Sequence, residues 1–277
     1  MDMVKISAAD VKKLRDQTGA GMMDCKKALT EGGGDFGKAI DLLRKKGQKL
    51  SVKRADRDAK EGVVVAIVND DHTKGAVLRL SCETDFVAKN EDFVNLVKSF
   101  ANIALENLPE SKEDLLALPY DGITIGEKVM EQIGVIGEKL ELADYKKLEA
   151  PLVAPYIHMG YKAGVLVGLN KAGDYYDAGR DVAMQVAAMK PIAVDKDGVD
   201  ASVVEKEIEI GKAQAREQGK PEELLEKIAT GKLNKFFKEN TLLNQAFVKG
   251  NKESVSDFLK KFDGDLTVTD FKHVTLG

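Results

Sequence analysis

The sequence predicts an α+β protein, and three observations carry that prediction. Near the N-terminus apolar residues recur at helical spacing between glycine breaks. Further on, short β-branched runs alternate with turn residues. One pattern of strand pair followed by helix occurs twice.

The helical region opens on Ser7-Ala8-Ala9-Asp10, which reads as a capping box: the serine hydroxyl accepts from the backbone N–H three residues on, and the acid reaches back toward the positive helix end. A helix through Gln17 follows and breaks at Gly19 and Gly21. A second is expected over residues 22–30, stopped by Gly32-Gly33-Gly34. Asp35 can then cap a third, in which Phe36, Ala39, Ile40 and Leu43 fall at helical spacing. Residues 44–60 are strongly basic and carry few large apolar side chains beyond Leu50 and Val52, so they read as an exposed linker, part helical. Such a run is ordinarily a solvated face; a phosphate-binding role is the alternative.

The strand region begins with the valine-rich residues 62–68, the turn Asn69-Asp70-Asp71 and the alternating residues 76–82, together a β-hairpin. A helix is expected from about Glu91, with Phe93, Val94, Val97 and Ala101 on one face. Residues 152–158 and 164–169 form a second strand pair, again followed by a helix over residues 174–189. Lys74-Gly75-Ala76-Val77-Leu78 is echoed by Lys162-Ala163-Gly164-Val165-Leu166, a weak internal repeat in which two related halves share one core region.

Residues 202–240 are charged and helical, interrupted at Gln218-Gly219-Lys220-Pro221. Val204, Ile208 and Gly211 are expected to line one arm of a helical hairpin, and Leu224, Leu225, Ile228 and Phe236 the other. So narrow an apolar stripe predicts a hairpin that projects from the body. A helix over residues 255–262 and a strand over residues 266–274 bring the chain back to the sheet.

Composition narrows the function. The 277 residues carry 42 basic and 46 acidic side chains, a net charge of −4 that argues against a dedicated nucleic-acid binder. Aromatic residues make up 6% and tryptophan is absent, which is poor material for a base-stacking surface. Cys25 and Cys82 form no CxxC pair, so neither a disulfide framework nor a zinc site is expected, and a reducing cytosol fits. Residues 1–5 show no basic-then-apolar leader, and no stretch approaches the ~18 apolar residues that cross a bilayer.

Several motifs tempt and fail. Gly32 to Ala39 spells Gly-x-x-x-x-Gly-Lys-Ala, lacking the hydroxyl of a P-loop and following a helix where a strand is required. Gly19-Ala20-Gly21 begins a dinucleotide fingerprint that Asp24 breaks. Met22 and Met23 after it are core filler or an adaptable contact surface, and chemistry alone favours core. His72, His158 and His273 have no metal-ligand spacing, and no nucleophile elbow is present. No metal or cofactor is predicted. The stretch Cys82 to Asn90 joins a strand to a helix through a turn with Asn90 as a plausible N-cap. Phe86 is either tucked beneath this turn, or displayed with Asp85 so that an acid and an aromatic enter another protein's pocket.

At this turn the sequence resembles the elongation factor Ts family. Thr84-Asp85-Phe86-Val87-Ala88-Lys89-Asn90 is similar to one signature of that family, and Thr18-Gly19-Ala20-Gly21-Met22-Met23-Asp24-Cys25-Lys26-Lys27-Ala28-Leu29 to a second. The likeness continues through Tyr156-Ile157-His158, Gly164 to Val167 and Ala183 to Ala188. It implies a UBA-like three-helix domain over residues 1–47, a basic linker over 48–61 and a two-part α+β core over 62–150 and 151–200. A coiled-coil hairpin over 201–240 and a C-terminal return over 241–277 complete the division.

The resemblance also implies the role. The partner is elongation factor Tu, GDP-bound and nucleotide-free, and the action is to displace Mg²⁺ and release GDP, with no catalytic centre in this chain. By likeness Lys12, Arg15, Met22 and Met23 meet the partner's GTPase domain. Thr84, Asp85, Phe86 and Val87 sit at the magnesium side of its nucleotide site, and His158 acts from the second half of the core. His158 is followed by Met159, Gly160, Tyr161 and Lys162, where relatives often carry Gly or Pro and then Arg. The hairpin is short, and could meet the partner or a second copy of this chain. Two rival readings are a nucleotide-binding enzyme using the glycine-rich segments and an RNA binder using residues 44–60.

Overall fold

The computed structural model describes residues 6–250 and 252–276. Residues 1–5, which show no leader pattern in the sequence, lie outside the described residues. The chain divides into two compact units, the first made of Met1–Val65, Leu78–Lys146 and Thr275–Gly277, the second of Ala66–Val77 and Lys147–Val274. Helices and strands are mixed in chain order, which makes the protein α+β.

The first unit opens with α1 (Ala8–Thr18), α2 (Met22–Glu31) and α3 (Phe36–Lys53). The capping box forms as the sequence predicts, with Asp10 N–H donating to Ser7 Oγ at 3.1 Å and Ser7 N–H to Asp10 Oδ2 at 3.2 Å. Gly19, at φ 69°, ends α1 in the left-handed region that favours glycine, and its N–H donates to Arg15 O. The glycine run after α2 is a tight turn before Asp35, which caps α3 by accepting from Lys38 N–H at 2.9 Å, so the P-loop-like spacing is a break between helices. Leu14, Cys25, Leu29 and Ala39 are fully buried between the three helices.

The chain then forms β1 (Glu61–Val68), β2 (Lys74–Cys82), α4 (Asp85–Ala88) and α5 (Glu91–Asn107). Next come α6 (Lys112–Ala117), a small pair of β3 (Pro119–Tyr120) and β4 (Ile123–Thr124), α7 (Ile125–Ile136) and β5 (Glu141–Glu149). Strands β1, β2 and β5 form a sheet in that order. α5 buries Phe93, Val97, Phe100, Ala101 and Ala104 at helical spacing.

α3 runs through residues 47 and 48 without a break and ends at Lys53, so the helical part of residues 44–60 is longer than its few apolar side chains suggest. The reason is its contact with α7. A Cβ on Gly134 would lie 3.2 Å from Gly47 Cα, and one on Gly47 would collide with the Met130 carbonyl. The helices meet backbone to backbone, a contact that leaves no apolar stripe in the sequence.

In the second unit β6 (Leu152–His158) and β7 (Ala163–Leu169) pair antiparallel, from Leu152 opposite Leu169 to His158 opposite Ala163. α8 (Tyr176–Met189), α9 (Ala201–Glu217), α10 (Glu222–Asn240), α11 (Val255–Lys260) and β8 (Val268–Thr275) complete the chain, with β8 on the far side of β7. Ala178, Val182, Ala183 and Val186 of α8 pack on Leu152, Ala154, Val165 and Val167. The β1–β2 turn also belongs to this unit: Val153 N–H donates to His72 O at 2.6 Å, and the His72 and Tyr176 rings stack at 4.3 Å. α9 and α10 form the expected hairpin, but small residues make its seam. Its buried residues are Gly211, Ala215, Leu225 and Ala229, whereas Leu224 is 43% exposed, because the arms approach closely at Gly211 and Ala229. Among the described residues, no helix is long and apolar enough to cross a membrane.

Candidate functional site

The site is built where β2 gives way to α5. Two helix caps follow one another: Thr84, in extended backbone, caps α4 through its hydroxyl, and Asn90 caps α5 by accepting from Asp92 N–H at 2.8 Å. Both caps act within three residues of themselves, so the sequence alone dictates a single helical turn between two stops. This turn lifts Phe86 clear of the surface, 84% exposed, and the tucked alternative is excluded.

The base of the turn is held by groups far away in sequence. Glu138 Oε2 accepts from Glu83 N–H at 3.0 Å and Thr84 N–H at 3.1 Å, and its Oε1 accepts from the Thr84 hydroxyl at 2.7 Å. The Glu83 carboxylate accepts in turn from Lys139 N–H at 2.6 Å, Arg54 Nη1 at 2.7 Å and Arg57 Nη1 at 2.9 Å. Burial alone raises the Glu83 pKa, but the bonds from Lys139, Arg57 and Arg54 outweigh it and bring the carboxyl down to about 2. Cys82, just before, donates its Sγ–H to Thr84 O at 3.2 Å; burial, seconded by the nearby Glu138 charge, pushes this thiol up to about 12.

On the tip Asp85 accepts from Lys89 Nζ at 2.6 Å, and this bond lowers its pKa. The Asp85 side chain is still 48% exposed and Lys89 75%, so the pair is a solvated one that another cation can displace at little cost. Beside the tip lies a cleft of about 710 Å³ walled by Phe86, Val87, Phe93, Leu96, Val135 and Ile136 and bordered by Gly19. The α1–α2 turn therefore stands next to the tip. Met22 and Met23, which begin α2, are 60% and 76% exposed, against the chemical preference for core. Lys12 and Arg15 are exposed on one face of α1.

His158, in the second unit, ends β6 half-buried, with Nδ1 3.1 Å from the Tyr156 hydroxyl. The turn after it holds Met159, Gly160 and Tyr161 at φ 48°, 63° and 71°, a strained run for non-glycine residues, and leaves Met159 72% exposed.

A family model described as Elongation factor TS matches residues 83–277, beginning at the residue that Arg54 and Arg57 grip. The chain belongs to the elongation factor Ts family. Relatives of that name agree along nearly the whole length. The elongation factor Ts of Christiangramia forsetii is 56% identical over 276 residues, which are 99% of this chain and 100% of its own. That of Cytophaga hutchinsonii is 53% identical over 277 residues, and that of Flavobacterium psychrophilum 52% over 276, each again 99% of this chain and 100% of the relative. The elongation factor Ts model starts after the N-terminal run Thr18 to Leu29, but these full-length relatives take that run in.

Sequence reasoning missed Glu138, Lys139, Arg54 and Arg57. Their contacts with the turn span 26 to 56 residues, and no local periodicity announces them. The only local signal is Gly137, the left-handed cap at φ 79° that ends α7 and sets the direction of Glu138.

Proposed function

We propose that this chain is a guanine-nucleotide exchange factor that binds elongation factor Tu in its GDP-bound and nucleotide-free forms, displaces the magnesium ion and promotes GDP release during translation elongation. The observation that carries this reading is an acid and an exposed aromatic, Asp85 and Phe86, displayed together on a clamped turn. The family likeness supplies the partner. In this reading Thr84, Asp85, Phe86 and Val87 work at the magnesium side of the partner's nucleotide site. Lys12, Arg15, Met22 and Met23 meet its GTPase domain, and His158 acts from the second part of the core. The finer architecture belongs to the same proposal: a UBA-like α1–α3, a coiled-coil α9–α10, the division at 47, 61, 150, 200 and 240, and work in the cytosol.

The mechanism is linkage. A protein that prefers the nucleotide-free conformation weakens nucleotide binding by the factor that the nucleotide weakens its own. No bond in the nucleotide breaks, and no catalytic centre is needed. Phe86 acts as a wedge, and burying its ring is worth ~1.5–3 kcal/mol, which bounds its effect at roughly ten- to hundredfold. Asp85 leaves Lys89 and disturbs the water and side-chain shell through which a protein-bound Mg²⁺ keeps near-octahedral geometry. Loss of the ion exposes phosphate repulsion. Phe86→Ala and Asp85→Ala should each slow GDP release measured by stopped flow, with unfolding midpoints close to wild type, and the Asp85 effect should shrink when magnesium is chelated. Normal exchange by folded Phe86→Ala protein would overturn the assignment of this turn.

A further inference from the structure

The tip that carries Asp85 and Phe86 cannot hold its own direction. α4 has four residues and none is buried, so neither length nor packing fixes it. What it has is a carboxylate at its base. Glu138 accepts from two successive backbone N–H groups and from the hydroxyl of the capping residue, all within 3.1 Å. Charge-assisted bonds of this kind fix the plane of the peptide from which α4 departs. The reverse bond, Lys139 N–H to the Glu83 carboxylate at 2.6 Å, makes the grip reciprocal. Glu138 is itself well placed, since α7 begins in a capping box at Thr124, buries Ile125, Val129 and Ile133, and meets α3 backbone to backbone.

We propose that Glu138 is a positioning residue for nucleotide exchange: from the end of α7 it sets the direction in which α4 presents Asp85 and Phe86. The inference rests on the exchange reading above. Without the carboxylate the tip keeps its residues and its exposure but spreads over several orientations, and only a fraction of the molecules presents the wedge correctly. Because the partner is also met elsewhere, the loss falls on the maximal rate more than on the concentration that half-saturates it.

The test is a cycle of full-length variants, read as GDP release from the partner GTPase over a range of exchange-factor concentrations. Glu138→Ala should lower the maximal rate about tenfold, the worth of one or two charge-assisted hydrogen bonds, and change half-saturation little. Glu138→Gln should recover most of the rate, because its amide oxygen still accepts the two backbone N–H groups and its NH₂ can donate to Thr84 Oγ1. Added to the double variant Asp85→Ala with Phe86→Ala, Glu138→Ala should cost nothing further, since it acts through those two side chains. A wild-type rate for Glu138→Ala, or a full multiplicative loss on top of the Asp85→Ala, Phe86→Ala double variant, overturns the proposal. If Glu138→Ala does not fold, Glu138→Asp, which draws the carboxylate back by one methylene and leaves the Thr84 cap in place, takes its place in the cycle, and the same two outcomes overturn the proposal. Phe86→Ala alone exchanging normally overturns the exchange reading itself, and the positioning role with it.

Discussion

At the scale of single residues, the protein spends exposed apolar surface where a partner is expected. Phe86, Met22 and Met23 are among its most exposed large apolar side chains. Since neither methionine packs inside, replacing both by Asp should weaken binding to elongation factor Tu, measured by titration calorimetry, and leave the thermal unfolding midpoint of the free chain nearly unchanged. A large drop in that midpoint would mean they are structural after all. The turn around Phe86 is legible in the sequence through its Asn90 cap, a polar side chain closing on an N–H two residues on, whereas the Thr84 cap, equally local, has no counterpart in that reading. The grip on the base of that turn is not legible, because its bonds come from Glu138, more than fifty residues away. The methionine pair is legible only through family likeness, since thioether chemistry suits core and surface alike.

At the scale of elements, α3 and α5 are legible at their starts through a cap and an apolar stripe, whereas α6 and α7, each opening in a capping box, have no counterpart in the sequence reading. Asp35 and the spacing of Phe36, Ala39 and Ile40 mark the start of α3, and Phe93, Val97 and Ala101 mark α5. The second half of α3 is obscure because its partner touches it at a glycine. The same holds for the hairpin, where the expected Gly211 meets Ala229, and Ala215 and Ala229 are buried while the expected Leu224 is exposed. Gly47→Ala tests the closeness of the α3–α7 contact. In a solvated helix the change stabilises by about 1 kcal/mol through helix propensity. Here the added methyl meets the Met130 carbonyl, and the overpacking should destabilise by about 1–3 kcal/mol. Urea denaturation decides between the signs, and a more stable variant would show that the contact is loose.

At the scale of the whole molecule, Glu83 ties together three stretches of chain, accepting from Arg54 and Arg57 after α3 and from Lys139 after α7. Its folded pKa of about 2 lies below the ordinary 4.5, so its contribution to stability is fully present above pH 4.5 and is lost as the pH falls toward 2. Glu83→Gln should therefore be less stable than wild type at neutral pH, and the gap should close through that window in urea titrations at stepped pH. A gap independent of pH would assign the loss to packing. One further property follows from the cysteines. Cys25 and Cys82 are both fully buried, burial raises both thiols, and Cys82 sits three residues before Asp85 with its proton committed to Thr84 O. Oxidants and electrophiles attack the thiolate, which neither side chain supplies at neutral pH. The turn that bears Phe86 thus has at its root a buried sulfur that stays a thiol, so oxidation of the chain is expected first at the exposed thioethers of Met22, Met23 and Met159.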